Sequence, residues 1–330
     1  MDFNQLMKVV KGAIAPEPYR FGMPQQSGAM TVLPVFGPNN DGRFVGPLSG
    51  LKLSQVRGYG NMELSNPSET GIAIVPLHMG YIQDRAQNHA LCRSAFIAAG
   101  QKLMFEDACC VQASQGGYLE GRDQWFFILP LQLREEALEL RGKEDYGKLW
   151  DGISRLNQQF GLPDRGHLEQ ILSRKRAYLT QYQSRLELLP EQTGAVFFVG
   201  DKLAGVEIAP SAAYFQELWM SLVCFCYGIA TMNEEKDVQE KKPLASLCAS
   251  NLQELREQLN QSRLERQERV RNWLAETPAQ QFELDEEERF LSLRLHTVTS
   301  KNFAGQIVEE EGNLVYASLF AKPRYLANNS

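Results

Sequence analysis

The residues best suited to chemistry gather between positions 71 and 112, GIAIVPLHMGYIQDRAQNHALCRSAFIAAGQKLMFEDACCVQ. Gln83, Asp84, Arg85, Gln87, Asn88 and His89 form the densest polar run in the N-terminal half, and Cys110 and Gln112 close the stretch. A guanidinium pairs with phosphate through directed N–H groups, while side-chain amides read hydroxyl and amide partners. Gln83, Arg85, Gln87, Asn88, His89, Cys110 and Gln112 are therefore the candidate ligand-binding residues. Cys110 with His78 or His89 could also form a thiol–imidazole nucleophile pair, because a neighbouring imidazole lowers a thiol pKa. Plainer readings stand beside these: ACCVQ as a packed strand, Asp84 and Arg85 as a local ion pair, Gln87 and Asn88 as a turn. Acid–base work would need two carboxylates from Asp84, Glu106, Asp107 and Glu120, and their spacing singles out no pair. No catalytic residue is assigned.

Familiar signatures are missing. The sequence contains no G-x-S-x-G, no G-x-x-x-x-G-K-[ST], no H-E-x-x-H and no G-x-G-x-x-G after a strand. The histidines number four: His78, His89, His167 and His296. Six cysteines include a CC and a CFC pair, whose spacing is wrong for a C-x-x-C zinc or redox site. Free thiols in a reducing cytoplasm are the expectation, with no metal and no assigned cofactor. A net charge of −6 with dispersed Lys and Arg argues against general nucleic-acid binding, which needs a basic patch. The start carries no apolar leader, and the longest apolar run, LWMSLVCFCYGIA at 218–230, is too short to span a bilayer. It reads as a buried core helix in a cytoplasmic protein.

The elements that must position these residues come from periodicity. A short helix over 4–15 ends at Pro16 and Pro18. Residues 30–36 form a strand that Pro34 places at a sheet edge. Further strands fall at 51–56, 62–64, 72–77, 108–112 and 124–131. Helices follow: one capped by Asp145 with Leu149, Ile153, Leu156 and Phe160 inward, and one capped by Asp164 with Leu168, Ile171, Leu172, Tyr178, Leu179 and Tyr182 inward. The Arg174-Lys175-Arg176 run is read as a solvated face. Residues 194–199 and 206–208 are strands around a turn, and a helix spans 211–232. A surface loop is expected at 232–243, and a strongly charged helix over 251–276 that packs on a narrow stripe or meets a partner. Alternating Leu291, Leu293, Leu295 and Thr297 mark a half-buried strand, and a hairpin turns at Glu311-Gly312-Asn313. The expectation is an α+β fold in one domain over 1–330. It has a β-rich part at 19–131, a mainly helical part at 145–276, and strands at 289–320 returning to the core.

In ordered blocks from about 21 to 320 the chain resembles the ARG and rhodanese-phosphatase-superfamily-associated protein domain family. GMPQQSGAMTVLPVF is similar to that family's opening, and LSNPSETGIAIVPLHMG to its strand and turn with Gly80 as the turn glycine. RAQNHAL resembles its Lys-Gln-Asn-Arg stretch, and ACCVQ its Val-Ser-Cys-Val-Glu strand. GAVFFVGDKLAGVEIAPSAAYFQELW and GNLVYASLF resemble its late strand–helix unit and closing strand. The shared polar positions are Gln87, Asn88 and Cys110. Ala86 and His89 stand where the family has Lys and Arg, and Gln112 where it has Glu, which removes charge and proton-transfer capacity. The resemblance implies a prokaryotic protein without an established activity, linked by association to nucleotide or ADP-ribose metabolism in defence or stress systems.

Two functional expectations follow. The first is a non-catalytic binding or interaction protein that meets a protein partner through the 251–276 helix. The alternative is an enzyme or sensor acting on a nucleotide-derived, ADP-ribose-like ligand, with Arg85 on a phosphate. A hydrolase dependent on Cys110 would further need that thiol exposed beside a histidine.

Overall fold

The computed structural model describes residues 19–38, 41–57, 60–83, 88–113, 124–143, 149–163, 166–237, 249–278 and 281–327. The expected helix over 4–15 and the caps Asp145 and Asp164 lie outside them. Gly, Pro and Asn interrupt every apolar run of the first third, so it folds as short strands. These are β1 (Arg20–Phe21), β2 (Gln25–Ser27), β3 (Met30–Phe36), β4 (Lys52–Arg57), β5 (Asn61–Ser65), β6 (Ile72–Ile74), β7 (Met79–Gln83), β8 (His89–Ala90), β9 (Phe96–Ala98), β10 (Lys102–Phe105), β11 (Cys109–Cys110) and β12 (Gln124–Ile128). Helices α1 (Leu131–Glu139), α2 (Trp150–Gln159), α3 (Glu169–Arg174) and α4 (Arg176–Arg185) follow, then strands β13 (Gly194–Val199) and β14 (Lys202–Ile208). Next come α5 (Ala212–Met220), a π-helical segment (Ser221–Cys226), α6 (Tyr227–Asp237) and α7 (Leu252–Glu276). Strands β15 (Glu283–Phe290), β16 (Leu293–Thr299), β17 (Phe303–Glu310), β18 (Asn313–Ala321) and helix α8 (Pro323–Ala327) complete the described chain. The fold is α+β.

Among the described residues the main sheet has nine antiparallel strands in the order β1-β3-β13-β14-β18-β17-β16-β15, with β2 also on β3. N-terminal and C-terminal strands thus share one sheet, as expected, with the hairpin β13–β14 between them. The pleat splits β13 between two cores. Ala195, Phe197 and Val199 face the larger one under the helices, and Val196 and Phe198 face a smaller one under the end of α7. There Val270, Trp273 and Leu274 pack, with Trp273 5.5 Å from Phe198. The apolar run at 218–230 crosses the larger core, and no described helix is long and apolar enough to cross a membrane.

Several expectations need correction. The strand β3 is paired on both sides. Gly22 N–H donates to the Pro34 carbonyl at 2.8 Å, so the missing Pro34 donor faces the gap between β1 and β2. The helix expected over 165–182 breaks at Lys175 (φ −100°) into α3 and α4, leaving Tyr178 39% exposed. The loop expected at 232–243 is helical through Asp237, and 238–248 lie outside the described residues. Strand β15 escaped notice because it is a charged edge strand, and Leu291 is an exposed left-handed turn residue (φ 55°). Gly80 is within β7, not in a turn. A Cβ there would stand 2.4 Å from the Phe127 ring and 2.8 Å from the His89 carbonyl. The Glu311-Gly312 turn is as expected, with φ of 51° and 80°.

The unread helix α1 carries the residue that ties the layers together. Arg134 is fully buried. Its guanidinium donates to Glu207 (2.8 Å) on β14, Ser318 Oγ (2.6 Å) on β18, Cys226 Sγ (3.6 Å) in the π-helical segment and His78 Nδ1 (3.1 Å) before β7. It also lies over the Phe320 ring at 4.6 Å. Tyr227 Oη donates to Glu207 at 2.7 Å, and its ring stacks on Phe197 at 4.0 Å. Glycine is required at 205, where a Cβ would sit 2.0 Å from Tyr227 Oη. Burial opposes the Arg134 charge, but Glu207 and its neighbours outweigh it and the pKa is raised. His78 accepts from Arg134, so its ring is neutral. Burial, then the Arg134 charge, holds its pKa well below the ordinary value. That bond and the Phe320 ring at 5.6 Å hold His78 in a left-handed backbone (φ 62°).

Removing one member of such a pair leaves an uncompensated buried charge. Arg134→Leu and Glu207→Leu should each cost about 3–5 kcal/mol in urea unfolding. The double variant should cost clearly less than the sum. Additive costs would show that the two side chains are not coupled.

Candidate functional site

Residues 88–113 return twice across one small sheet, ordered β11-β8-β7-β12. Cys109 pairs with Ala90 and Cys110 with His89. Val111 N–H donates to the Asn88 carbonyl at 2.9 Å. The chain at 166–168 then lies alongside. Leu168 N–H donates to the Val111 carbonyl (3.0 Å), Ala113 N–H to the Gly166 carbonyl (2.9 Å), and Gln112 pairs with His167. Main-chain pairing therefore carries the start of α3 onto the strand that holds Cys110 and Gln112.

That pairing assembles a buried polar cluster. Asn88 Nδ2 donates to Glu169 Oε2 at 2.6 Å, and Asn88 N–H points at Gln112 Oε1 at 3.4 Å. Cys110 Sγ donates to the Gln112 carbonyl at 3.0 Å. His167 Nδ1 is 3.8 Å from Glu169 Oε1, and Asn157 Nδ2 donates to the His167 carbonyl. Asn88, Cys110 and Glu169 are fully buried, and Gln112 and His167 almost so. Of the sequence candidates, Asn88, Cys110 and Gln112 are thus brought together. His89 is not: its Nε2 accepts from Gly60 N–H at 3.0 Å on a separate contact. The side chain of Gln83, and all of Arg85 and Gln87, lie outside the described residues.

Burial decides the chemistry of the cluster. It pushes the Cys110 thiol up to about 11, against the Gln112 backbone and the Trp150 indole that act in the opposite direction. At neutral pH such a sulfur is thiolate roughly one part in ten thousand, a poor nucleophile. Glu169 is raised to about 7 by burial, with the Asn88 hydrogen bond pulling it down. Glu169 was missed in sequence because it stands 81 positions from Asn88. No periodicity or spacing links the two. Among the described residues no group of His, Cys, Asp and Glu could hold a metal, and the five buried cysteines form no disulfide; Cys248 lies outside.

The architecture is an antiparallel α+β scaffold whose polar cluster is enclosed. The chain belongs to the ARG and Rhodanese-Phosphatase-superfamily-associated Protein domain family, matched over residues 18–320. No curated protein and no solved structure matches it.

Between pH 4.5 and 7 the folded protein holds a proton on Glu169 that the unfolded chain releases, so this group makes stability fall as pH rises through that window. Above pH 7 the full penalty applies, up to about 3 kcal/mol. Glu169→Gln should therefore gain stability relative to the parent as pH goes from 5 to 8. Parallel unfolding midpoints for the two proteins across that range would refute the assignment.

Proposed function

We propose that this protein acts by binding a partner, and that the partner docks on the first half of α7. The observation that carries the reading is the stripe Leu252, Leu255, Arg256, Leu259, Asn260 and Arg263, which lines a groove of about 320 Å³. The spacing i, i+3, i+4, i+7, i+8, i+11 puts these residues on one helix face. Asn251 fixes the start of the helix by accepting from Glu254 N–H at 2.9 Å. Only the far end is anchored: Val270 is the buried residue of α7, while Leu252 is 85% and Leu259 41% exposed. Two cations, Arg256 and Arg263, flank the leucines with no carboxylate partner among the described residues. A leucine row with flanking arginines complements an amphipathic helix whose own flanks are acidic. The enclosed cluster around Cys110 supports binding over turnover, since its thiol is buried and protonated.

A designed amphipathic peptide with leucines on one face and glutamates beside them should bind the parent protein in fluorescence anisotropy. Leu255→Glu/Leu259→Glu should weaken it at least tenfold without unfolding the protein, because Leu259 is exposed, Leu255 half-buried, and neither belongs to a core cluster. Arg256→Glu/Arg263→Glu should reverse the preference towards a lysine-flanked peptide. Equal binding by all three proteins, or none, would reject the reading.

The alternative, a nucleotide-derived ligand of the ADP-ribose type, has Asn88, Cys110 and Gln112 together but enclosed, so the cluster would have to open to admit it. ADP-ribose at about 100 times its Kd would add roughly 2.7 kcal/mol, a rise of a few degrees in Tm for a chain of this length. A flat thermal-shift titration with ADP-ribose and NAD would discard it.

A further inference from the structure

A second concave surface lies apart from both α7 and the buried cluster. It is a cleft of about 510 Å³ lined by Leu48, Leu51, Lys52, Leu53, Tyr81, Phe126, Glu217, Met220 and Ser221. Its walls come from β4 and the segment before it, from β7 and β12, and from the junction of α5 with the π-helical segment. The lining is mostly apolar, with Leu48 and Met220 each about two-fifths or more exposed. Such a surface is a default small-molecule site when a few polar groups converge on it.

Three observations mark it as built. Tyr81 is 5% exposed, and its hydroxyl has no hydrogen-bond partner among the described residues. A buried hydroxyl left unmet carries a desolvation cost that a ligand could relieve. Burial raises its pKa, so it remains a neutral donor and acceptor at physiological pH. Secondly, Lys52 is exposed at the cleft and forms no ion pair among the described residues, unlike Arg43, Arg93, Lys102, Arg134, Arg141 and Arg155 of the same half of the chain. Thirdly, Glu217 does not neutralise it. Its carboxylate accepts from Leu48 N–H (2.6 Å), Ser49 N–H (3.1 Å) and Ser49 Oγ (2.6 Å), which pins the Leu48 wall. That approach needs glycine at 46, where a Cβ would lie 2.3 Å from the carboxylate. The widened π-helical backbone that starts at Ser221 on the opposite wall is a feature common at ligand sites.

We infer that this cleft binds a small organic anion with a flat apolar body: the body packs between Leu53, Phe126 and Met220, its charge meets Lys52, and a polar atom engages the Tyr81 hydroxyl. This site goes beyond the helix-partner reading and stands without it, since no residue of α7 lines the cleft. A neutral apolar molecule would fill the walls and leave Lys52 unused. A small polar anion would find one cation and little else.

Fluorescence titration with anilinonaphthalene sulfonate, a flat apolar anion, tests the assignment on the intact chain. We expect saturable binding of one molecule per chain. Lys52→Gln should weaken it about tenfold while leaving binding of the uncharged anilinonaphthalene unchanged. Tyr81→Phe should weaken the sulfonate several-fold and raise the Tm of the free protein, a combination that a purely structural tyrosine would not produce. A loss of affinity in Leu255→Glu/Leu259→Glu would place the probe on α7 and overturn the cleft site. Unchanged affinity in both Lys52→Gln and Tyr81→Phe, or many probes bound per chain, would overturn it as well.

Discussion

A full positive charge with no access to water is the constraint on which the rest of the structure depends. Arg134 can be buried only because every direction of its guanidinium is met: a carboxylate on β14, a hydroxyl on β18, a sulfur in the π-helical segment, an imidazole before β7 and an aromatic face. Isolated ions are expelled from protein interiors, so the network forms completely or not at all. It therefore fixes the position of α1 against the main sheet, and of the small sheet's β7 against both. Around it Nδ1 of the neutral His78 and the hydroxyl of Tyr227 are committed to the network, and both residues are buried.

The second enclosed cluster follows the same logic with the opposite sign. Asn88 gives Glu169 one strong donor, and among the described residues the remaining carboxylate oxygen has only the His167 ring at 3.8 Å. One donor does not match the hydration the group lost, so protonation is the cheaper route to neutrality and the pKa climbs to about 7. Asn88, Cys110 and Gln112 form a clasp between β8, β11 and the start of α3. A neutral amide at Gln112 places no second buried acid beside Glu169.

The proposed recognition rests on surfaces that are open. The first half of α7 leaves the body of the protein, since only its last turns have a core to pack on. The cleft at Tyr81 arises where strand β4 and the π-helical segment diverge. These surfaces differ in chemistry, one a leucine row with arginines and the other an apolar slot with a lysine and an unmet hydroxyl.

Much of the fold was legible because its signals are local. A short apolar run marked β13, alternation marked β16, Asn251 marked the start of α7, and Glu311-Gly312 marked the last hairpin; each depends on neighbours within a few residues. Residue types also singled out Asn88, Cys110 and Gln112, which the structure brings together in one enclosed cluster. What the tertiary structure alone decided is which distant faces meet. Nothing near Pro34 reveals that its missing donor falls in a gap between β1 and β2. Nothing near Arg134 reveals Ser318, 184 positions away, or near Glu169 the amide of Asn88. Periodicity records which side of an element is apolar, whereas burial, and every pKa and partner that follows from it, depends on what packs against that side.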